Sequence, residues 1–453
     1  MIKSLERSVK YLFGLRVFFW LTGAFVALTG PHVWRQYDTL GVTLRYFNRW
    51  SNEGFQGFKS LLPAILQSGN AYGINAMEFP ILNLVLAPVF FLGPIWGKSL
   101  ASLILITLNL SLTWWAYQIY KKQKFFGFEF GVSPLLLILL SFSHPYFGKF
   151  MPDYFSMISI FVGVGLIRAQ RKLIVAIALI AIGGMLKPTN LNLFILFLPM
   201  LSLKYKKELF LGAVSVALAG VYFIWGVDFI NSHSDISSMF STKPKSLTLA
   251  ISQIFSDFIQ FFHIFHKRLF LPFLWIIPLL YFFTIGRSRF KNYIPLILCL
   301  LIQIIFVNLV TGNHAFWHTY YYLGVAPLAC LLFGQVLNSL PDKFLKVSLA
   351  ALLVFNLIES FYGIKPLFKS HKKREWRIAA QCKDLKNSTP EFPWNREYPF
   401  RSPDESYPIL GTCFGEKQGS VRSGYGLFYK ENPIPKDCLK VKESQDLVLV
   451  RCD

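Results

Sequence analysis

The sequence predicts an all-α polytopic membrane protein of about eleven transmembrane helices, with interfacial helices in its first outer loop and a small mixed α/β domain at the C-terminus. Three observations predict it. Of the 453 residues 54% are hydrophobic and only 15% are charged, which is more apolar surface than one soluble core can cover. The apolar residues come in runs, and runs of about 17 to 25 residues match the thickness of a bilayer. The cations behind the formal charge of +22 stand in short clusters between those runs, as the positive-inside bias places them, and this spacing argues against nucleic-acid binding.

The first run, Tyr11 to Gly30, follows Lys3, Arg7 and Lys10 and leads to Trp34-Arg35-Gln36 instead of a small-residue cleavage site. It reads as a retained first span that starts inside. Residues 31–98 carry Trp50, Phe55 and Phe58 but are broken by Pro, Gly and Asn, as amphipathic helices lying in the outer interface would be. Ala101 to Tyr120 is a clean span that ends at Lys121, Lys122 and Lys124. A further span over Pro80 to Gly93 would throw this cluster outside, so the charge rule rejects it.

The alternation then continues. Val132 to Ser143 runs outward, Tyr154 to Leu166 returns to Arg168, Arg171 and Lys172, Leu173 to Met185 runs outward, and Leu191 to Leu203 returns to Lys204, Lys206 and Lys207. Phe210 to Trp225 leads out to a polar loop reaching about Lys267, and Leu269 to Ile285 returns to Arg287, Arg289 and Lys291. Tyr293 to Thr311 leads out, Tyr321 to Leu337 returns to Lys343 and Lys346, and Val347 to Tyr362 leaves again. The membrane domain so defined covers residues 1–363.

Parity puts the tail, residues 364–453, outside, although Lys365, Lys369, Lys372, Lys373 and Arg374 alone would favour inside. Four of the six cysteines, Cys382, Cys413, Cys438 and Cys452, fall in this tail. An even set in a small charged domain reads as a disulfide framework, which needs an oxidising compartment; the pairing is left open. Zinc is the weaker alternative, since no Cys-x-x-Cys spacing occurs. Cys299 and Cys330 lie within spans and read as packing residues. Leu447 to Val450 is strand-like, while Ser423-Gly424 and Gly426 read as turns.

This topology collects the unusual polar residues on the outer side. They are Asp38 in His32-Val-Trp34-Arg35-Gln-Tyr-Asp38-Thr39, Glu78 before Phe79-Pro80, Asp153 in Met151-Pro-Asp153-Tyr154, Lys187 in Leu186-Lys187-Pro-Thr-Asn190, and His314 and His318 in the run to Tyr322. Charges that border hydrocarbon are expensive and mark a substrate path or a paired structure. Each residue also has a structural reading. Asp153 suits a helix cap, Lys187 can snorkel to headgroups, Glu78 suits a helix start, and Trp34 suits an interfacial anchor. His314 and His318 are four apart, so on a helix they share a face, and together with Glu78 they are the candidate ligands of a divalent metal ion.

His32 to Thr39, Glu78-Phe-Pro80, Met151-Pro-Asp153, Leu186-Lys-Pro188 and His318-Thr-Tyr-Tyr-Tyr322 followed by Pro327 together resemble the scattered signatures of the GT-C superfamily of membrane glycosyltransferases. The resemblance is to bacterial proteins similar to protein O-mannosyltransferases and to the lipid A aminoarabinose transferase, and it covers Tyr11 to Tyr362. It implies a polyprenyl-phosphate-linked sugar donor and transfer, with inversion, to a glycan, lipid or protein acceptor on the outer face of the cytoplasmic membrane. It makes Asp38 the first-loop catalytic carboxylate, Asp153 the second acidic position and Glu78 the acidic residue of the Glu-x-Pro motif. Phe79 stands where the aminoarabinose enzymes have Lys, so that phosphate contact does not carry over.

The chemistry agrees independently. Moving a sugar from phosphate to a hydroxyl needs a base for the acceptor proton and cations where charge builds on the leaving phosphate. Asp38 is the candidate base, and Arg35 and Lys187 are candidate phosphate partners. His318, Tyr320, Tyr321 and Trp34 are candidate substrate contacts, with Trp34, Trp317 and Tyr320 able to stack on a sugar. Two other functions suit a chain of this kind: a lipid-linked oligosaccharide flippase or transporter, and a polysaccharide polymerase or ligase. A transporter would keep its charges near the bilayer midplane on broken helices in inverted repeats, and no such repeat is evident.

Overall fold

The computed structural model of the chain describes residues 2–25, 79–139, 150–201, 205–226, 287–311, 319–364, 424–429, 438–443 and 447–452, with a few further positions within 39–51 and at 248 and 434. The helices in chain order are α1 (Ile2–Gly23), α2 (Ile81–Leu86), α3 (Pro94–Tyr120), α4 (Ser133–Leu136), α5 (Pro152–Arg168), α6 (Leu173–Leu186), α7 (Lys206–Val221), α8 (Arg287–Thr311), α9 (Ala326–Ser339) and α10 (Asp342–Ile364). Three 3-10 segments, Ala87–Leu92, Pro188–Met200 and Thr319–Val325, connect them. Two short strands, β1 (Lys124–Phe125) and β2 (Phe128–Glu129), form a hairpin after α3.

Among the described residues four helices are long and apolar enough to cross a membrane: Trp96–Tyr120, Lys206–Trp225, Lys291–Thr311 and Tyr321–Ser339. The chain is a multi-pass membrane protein. Some of the other expected spans, such as Leu269 to Ile285, lie outside the described residues. Ile81–Leu92 is one of the shorter apolar helices. At a rise of 1.5 to 2.0 Å per residue it reaches about 20 Å, too little to cross a core of about 30 Å.

Two expected spans differ in kind. Leu191 to Leu203 falls mostly in the 3-10 segment Pro188–Met200, opened by Pro188 and interrupted by Pro199. A proline lacks the N–H that an α-helix needs and crowds the preceding turn, which favours the tighter winding here. Of Val132 to Ser143, only Ser133–Leu136 is α-helical, with turns through Leu139 and the remainder outside the described residues.

The central pair is α5 and α6, antiparallel neighbours on which α3, α7 and Pro188–Met200 pack. Their axes approach closely because small residues face the contact. A Cβ on Gly163 would meet Ile180 at 2.6 Å, and one on Gly183 would meet Ile160 at 2.6 Å and the Ser156 carbonyl at 2.8 Å. Ser156 Oγ donates to the Gly183 carbonyl at 2.7 Å, a bond possible only at that separation. Gly93 supplies the sharp entry into α3 with φ of 85°, a backbone region that penalises any Cβ.

The cation clusters meet at one end of this bundle. Lys10 donates to Glu6 at 2.7 Å, and Tyr117, near the end of α3, also donates to Glu6. Arg168 ends α5 by donating to Gln123 at 3.2 Å, to the Lys124 carbonyl at 2.7 Å and to the Leu196 carbonyl. Gln170 donates to Glu208 at the start of α7, and Gln335 near the end of α9 donates to the Glu129 carbonyl. The ends that sequence alternation assigns to one side of the membrane are therefore joined by direct bonds.

In the tail, β3 (Gly424–Tyr429), β5 (Leu447–Cys452) and β4 (Cys438–Glu443) form an antiparallel sheet in the order β3-β5-β4. The expected strand at Leu447 to Val450 is β5. The expected turn residues Gly424 and Gly426 instead lie in β3, opposite Cys452 and Val450. Ladder bonds use only main-chain groups, so pairing with a neighbouring strand overrides the turn preference of glycine. Cys438 is disulfide-bonded, and its register partner across β4 and β5 is Cys452. Cys382 and Cys413 lie outside the described residues. Cys299 and Cys330 are buried and free, as packing residues are.

Candidate functional site

At the end opposite the cation clusters, the start of α5 meets the turn after α6. Met151 occupies the N-cap of α5, Pro152 takes the first helical position, and Asp153 follows in the first turn. Asp153 is therefore inside the helix, not its cap. The chain leaves α6 at Lys187 in extended backbone and reverses into Pro188–Met200, where Asn190 Nδ2 donates to Ser156 Oγ at 2.9 Å and lies 3.4 Å from the Asp153 carbonyl.

That reversal brings Lys187 Nζ to 3.1 Å from Asp153 Oδ1, with both side chains buried. The ammonium also lies 4.3 Å from the ring centroid of Tyr321, over its face. Lys187 thus does not snorkel outward. It is held by a carboxylate from α5 and a π face from Thr319–Val325, three segments well separated in sequence. With 14 residues in α6, the pair sits about 21 Å along the axis from Lys172.

Phe79, α2 and the described positions within 39–51 pack near the pair. Phe79 N–H donates to the Met185 carbonyl at 3.2 Å, and the Phe79 ring meets Tyr222 edge to face at 5.2 Å. Asn83 in α2 donates to the Thr39 carbonyl at 2.8 Å and to Thr43 at 3.0 Å. One apolar cluster contains Leu40, Leu82, Phe150 and Leu186. Phe150 and Leu186 are near neighbours in sequence of Asp153 and Lys187, so this cluster borders the pair.

The structure brings Asp153, Lys187 and Tyr321 together. Tyr320 belongs to the same short helix as Tyr321, but its side chain lies outside the described residues, as do Trp34, Arg35, Asp38, Glu78, His314 and His318. The metal expected at Glu78, His314 and His318 falls wholly on that set. Among the described residues no three His, Cys, Asp or Glu side chains come together.

Sequence reasoning passed over several buried polar groups. Arg16, inside the first span, is 1% exposed, donates to the Asn356 carbonyl at 2.7 Å and to Ser360 Oγ, and stacks on Trp20 at 5.4 Å. Asn192 and Gln303 are buried beside Gly324, where Gln303 Nε2 donates to the Gly324 carbonyl at 3.1 Å and to the Asn192 carbonyl at 3.2 Å. The signal was available: each is a polar residue inside an apolar run, which is costly unless the site is built for it.

No family model matches the chain, and no curated protein matches it. Among solved structures, ArnT from Cupriavidus metallidurans bound to undecaprenyl phosphate superposes with a TM-score of 0.54 at 11% identity, over 98% of this chain and 97% of that one. The apo state of the same protein gives 0.54 at 12% identity with the same coverage. ArnT is a GT-C lipid A aminoarabinose transferase. The likeness runs over nearly the whole of both chains: this chain has an ArnT-like fold.

Proposed function

We propose that the protein is a membrane glycosyltransferase that moves a sugar from a polyprenyl-phosphate carrier to an acceptor on the extracytoplasmic side of the cytoplasmic membrane. The observation that carries this reading is the buried Lys187–Asp153 pair under Tyr321, set at one end of a fold shared over 98% of its length with a protein crystallised with undecaprenyl phosphate.

In this reading Asp38 takes the proton of the acceptor hydroxyl as its oxygen bonds to the anomeric carbon. The bond to the carrier phosphate breaks on the opposite face, so the configuration inverts and the phosphate leaves with the electron pair. Lys187 and Arg35 balance the charge that builds on it. Asp153 acts through Lys187, as a positioning residue that holds the ammonium in one place. Glu78, His318, Tyr320 and Trp34 remain proposed substrate contacts, and a divalent ion at Glu78, His314 and His318 would supply further charge to the leaving phosphate. A transporter would need a buried charge on a helix broken across the bilayer, whereas the chain here reverses at Lys187.

The test is to offer the purified full-length protein a panel of radiolabelled undecaprenyl-phosphate sugars in lipid. Consumption of one of them with release of undecaprenyl phosphate is the expected outcome. Passage of intact labelled carrier across proteoliposomes without cleavage would replace this reading with the flippase one.

A further inference from the structure

Near the Asp153–Lys187 pair, on Pro188–Met200 and on α8, lies a second, uncharged layer. Thr189, Asn190, Asn192 and Gln303 are between 0% and 6% exposed. Each carries a polar atom with no hydrogen-bond partner among the described residues: the Thr189 hydroxyl, Asn190 Oδ1, both amide atoms of Asn192, and Gln303 Oε1. An unpaired buried polar group is costly, so four such side chains on neighbouring segments point to a site for a ligand.

They border one locus. Asn190 is tied to Ser156 and reaches the Asp153 carbonyl, and Gln303 is tied to Gly324, three residues beyond the Tyr321 ring that covers Lys187. The Asn192 amide lies against the bare Cα of Gly324, where any Cβ would overlap it. Four of the five free atoms are oxygens, so the layer chiefly accepts hydrogen bonds. Its described side chains carry no charge, and Asp153 is engaged by Lys187. Such a surface suits a ligand that offers several O–H donors and no net charge, since burying an unpaired ammonium among amides is costly.

We infer that Thr189, Asn190, Asn192 and Gln303 form the subsite for the sugar ring of the donor, and that they select a neutral, polyhydroxylated sugar. This rests on the lipid-linked donor reading above. It adds the chemical class of the sugar and the residues that read it, which the phosphate contacts do not specify.

The experiment measures equilibrium binding to the full-length protein in lipid nanodiscs for undecaprenyl phosphate, its mannosyl, glucosyl and galactosyl derivatives, and its 4-aminoarabinosyl derivative. At least one neutral hexosyl carrier should bind more tightly than undecaprenyl phosphate. Asn192→Leu and Thr189→Val should each weaken that carrier about tenfold, the worth of one well-made hydrogen bond, while binding of undecaprenyl phosphate stays within about twofold. Gly324→Ala, which displaces the Asn192 amide without removing it, should do the same.

Failure of every carrier to bind would remove the donor reading and this subsite with it. Binding of undecaprenyl phosphate with no gain from any neutral sugar, a gain from aminoarabinose alone, or variants that lose nothing would overturn the subsite and leave the donor reading standing. Thermal unfolding guards the variants. Because the substituted atoms have no partner among the described residues, Asn192→Leu should leave Tm unchanged or raise it, and loss of the fold would assign the amide a structural role and overturn the subsite.

Discussion

At the residue scale the proposed reaction rests on Asp38, and the buried ion pair rests on Lys187. Asp38→Asn keeps the shape of the side chain but cannot take a proton, so turnover with a matched donor should fall by about 10²-fold or more with donor binding nearly intact. Unchanged turnover would return Asp38 to a structural role. Lys187→Met is different in kind, because it removes the ammonium that lies 3.1 Å from the buried Asp153 carboxylate. Breaking one half of such a pair costs about 3–5 kcal/mol, whereas removing both halves is much milder. Thermal unfolding in detergent should therefore show Lys187→Met strongly destabilised and the double variant Lys187→Met with Asp153→Asn largely recovered. Additive losses in the double variant would mean that the two side chains do not depend on each other.

At the element scale, the α5–α6 hairpin is what aims the pair. Its Gly163 and Gly183 contacts let the helices approach until Ser156 Oγ reaches the Gly183 carbonyl. The same approach sets the end of α6 against the start of α5. Gly183→Leu has no room, since even its Cβ would lie 2.6 Å from Ile160, and overpacking of this kind costs about 1–3 kcal/mol or more. The expected result is a lower Tm together with reduced turnover, because forcing the helices apart moves Lys187 from Asp153. An unchanged Tm would show that the hairpin yields without strain. α1 and α10 are joined in a comparable way through Arg16, whose guanidinium reaches the Asn356 carbonyl and Ser360.

At the scale of the whole molecule, the two ends of the bundle carry opposite chemistry, cation clusters at one and the Asp153–Lys187 site at the other. In the proposed reading, the positive-inside bias would put the site on the outer side. In a chain labelled from outside with a membrane-impermeant thiol reagent, Gly312→Cys should react and Gly286→Cys should be protected. The reverse pattern would invert the topology. The tail should follow the site: Cys438 is disulfide-bonded, and mass analysis of protein from native membranes without reductant should find two disulfides among its four cysteines. Four free thiols there would put residues 364–453 on the reducing side.

The sequence alone determined that the chain is a multi-pass membrane protein and which helix ends carry the cation clusters, and it named Asp153, Lys187 and Tyr321, which the fold brings into contact, among its site candidates. Hydropathy runs and cation clusters are local signals set by the cost of putting charge in hydrocarbon, so they read directly from residue order. Only the tertiary structure decided that Lys187 turns inward to Asp153, that Pro188–Met200 winds as a 3-10 segment, that Gly424 and Gly426 lie in a strand, and that Gln303 donates to the carbonyls of Asn192 and Gly324. Each of these rests on a partner distant in sequence, 111 residues away for Gln303 and Asn192. A side chain's local propensity carries no information about which distant group will satisfy it, and burial makes that partner decisive.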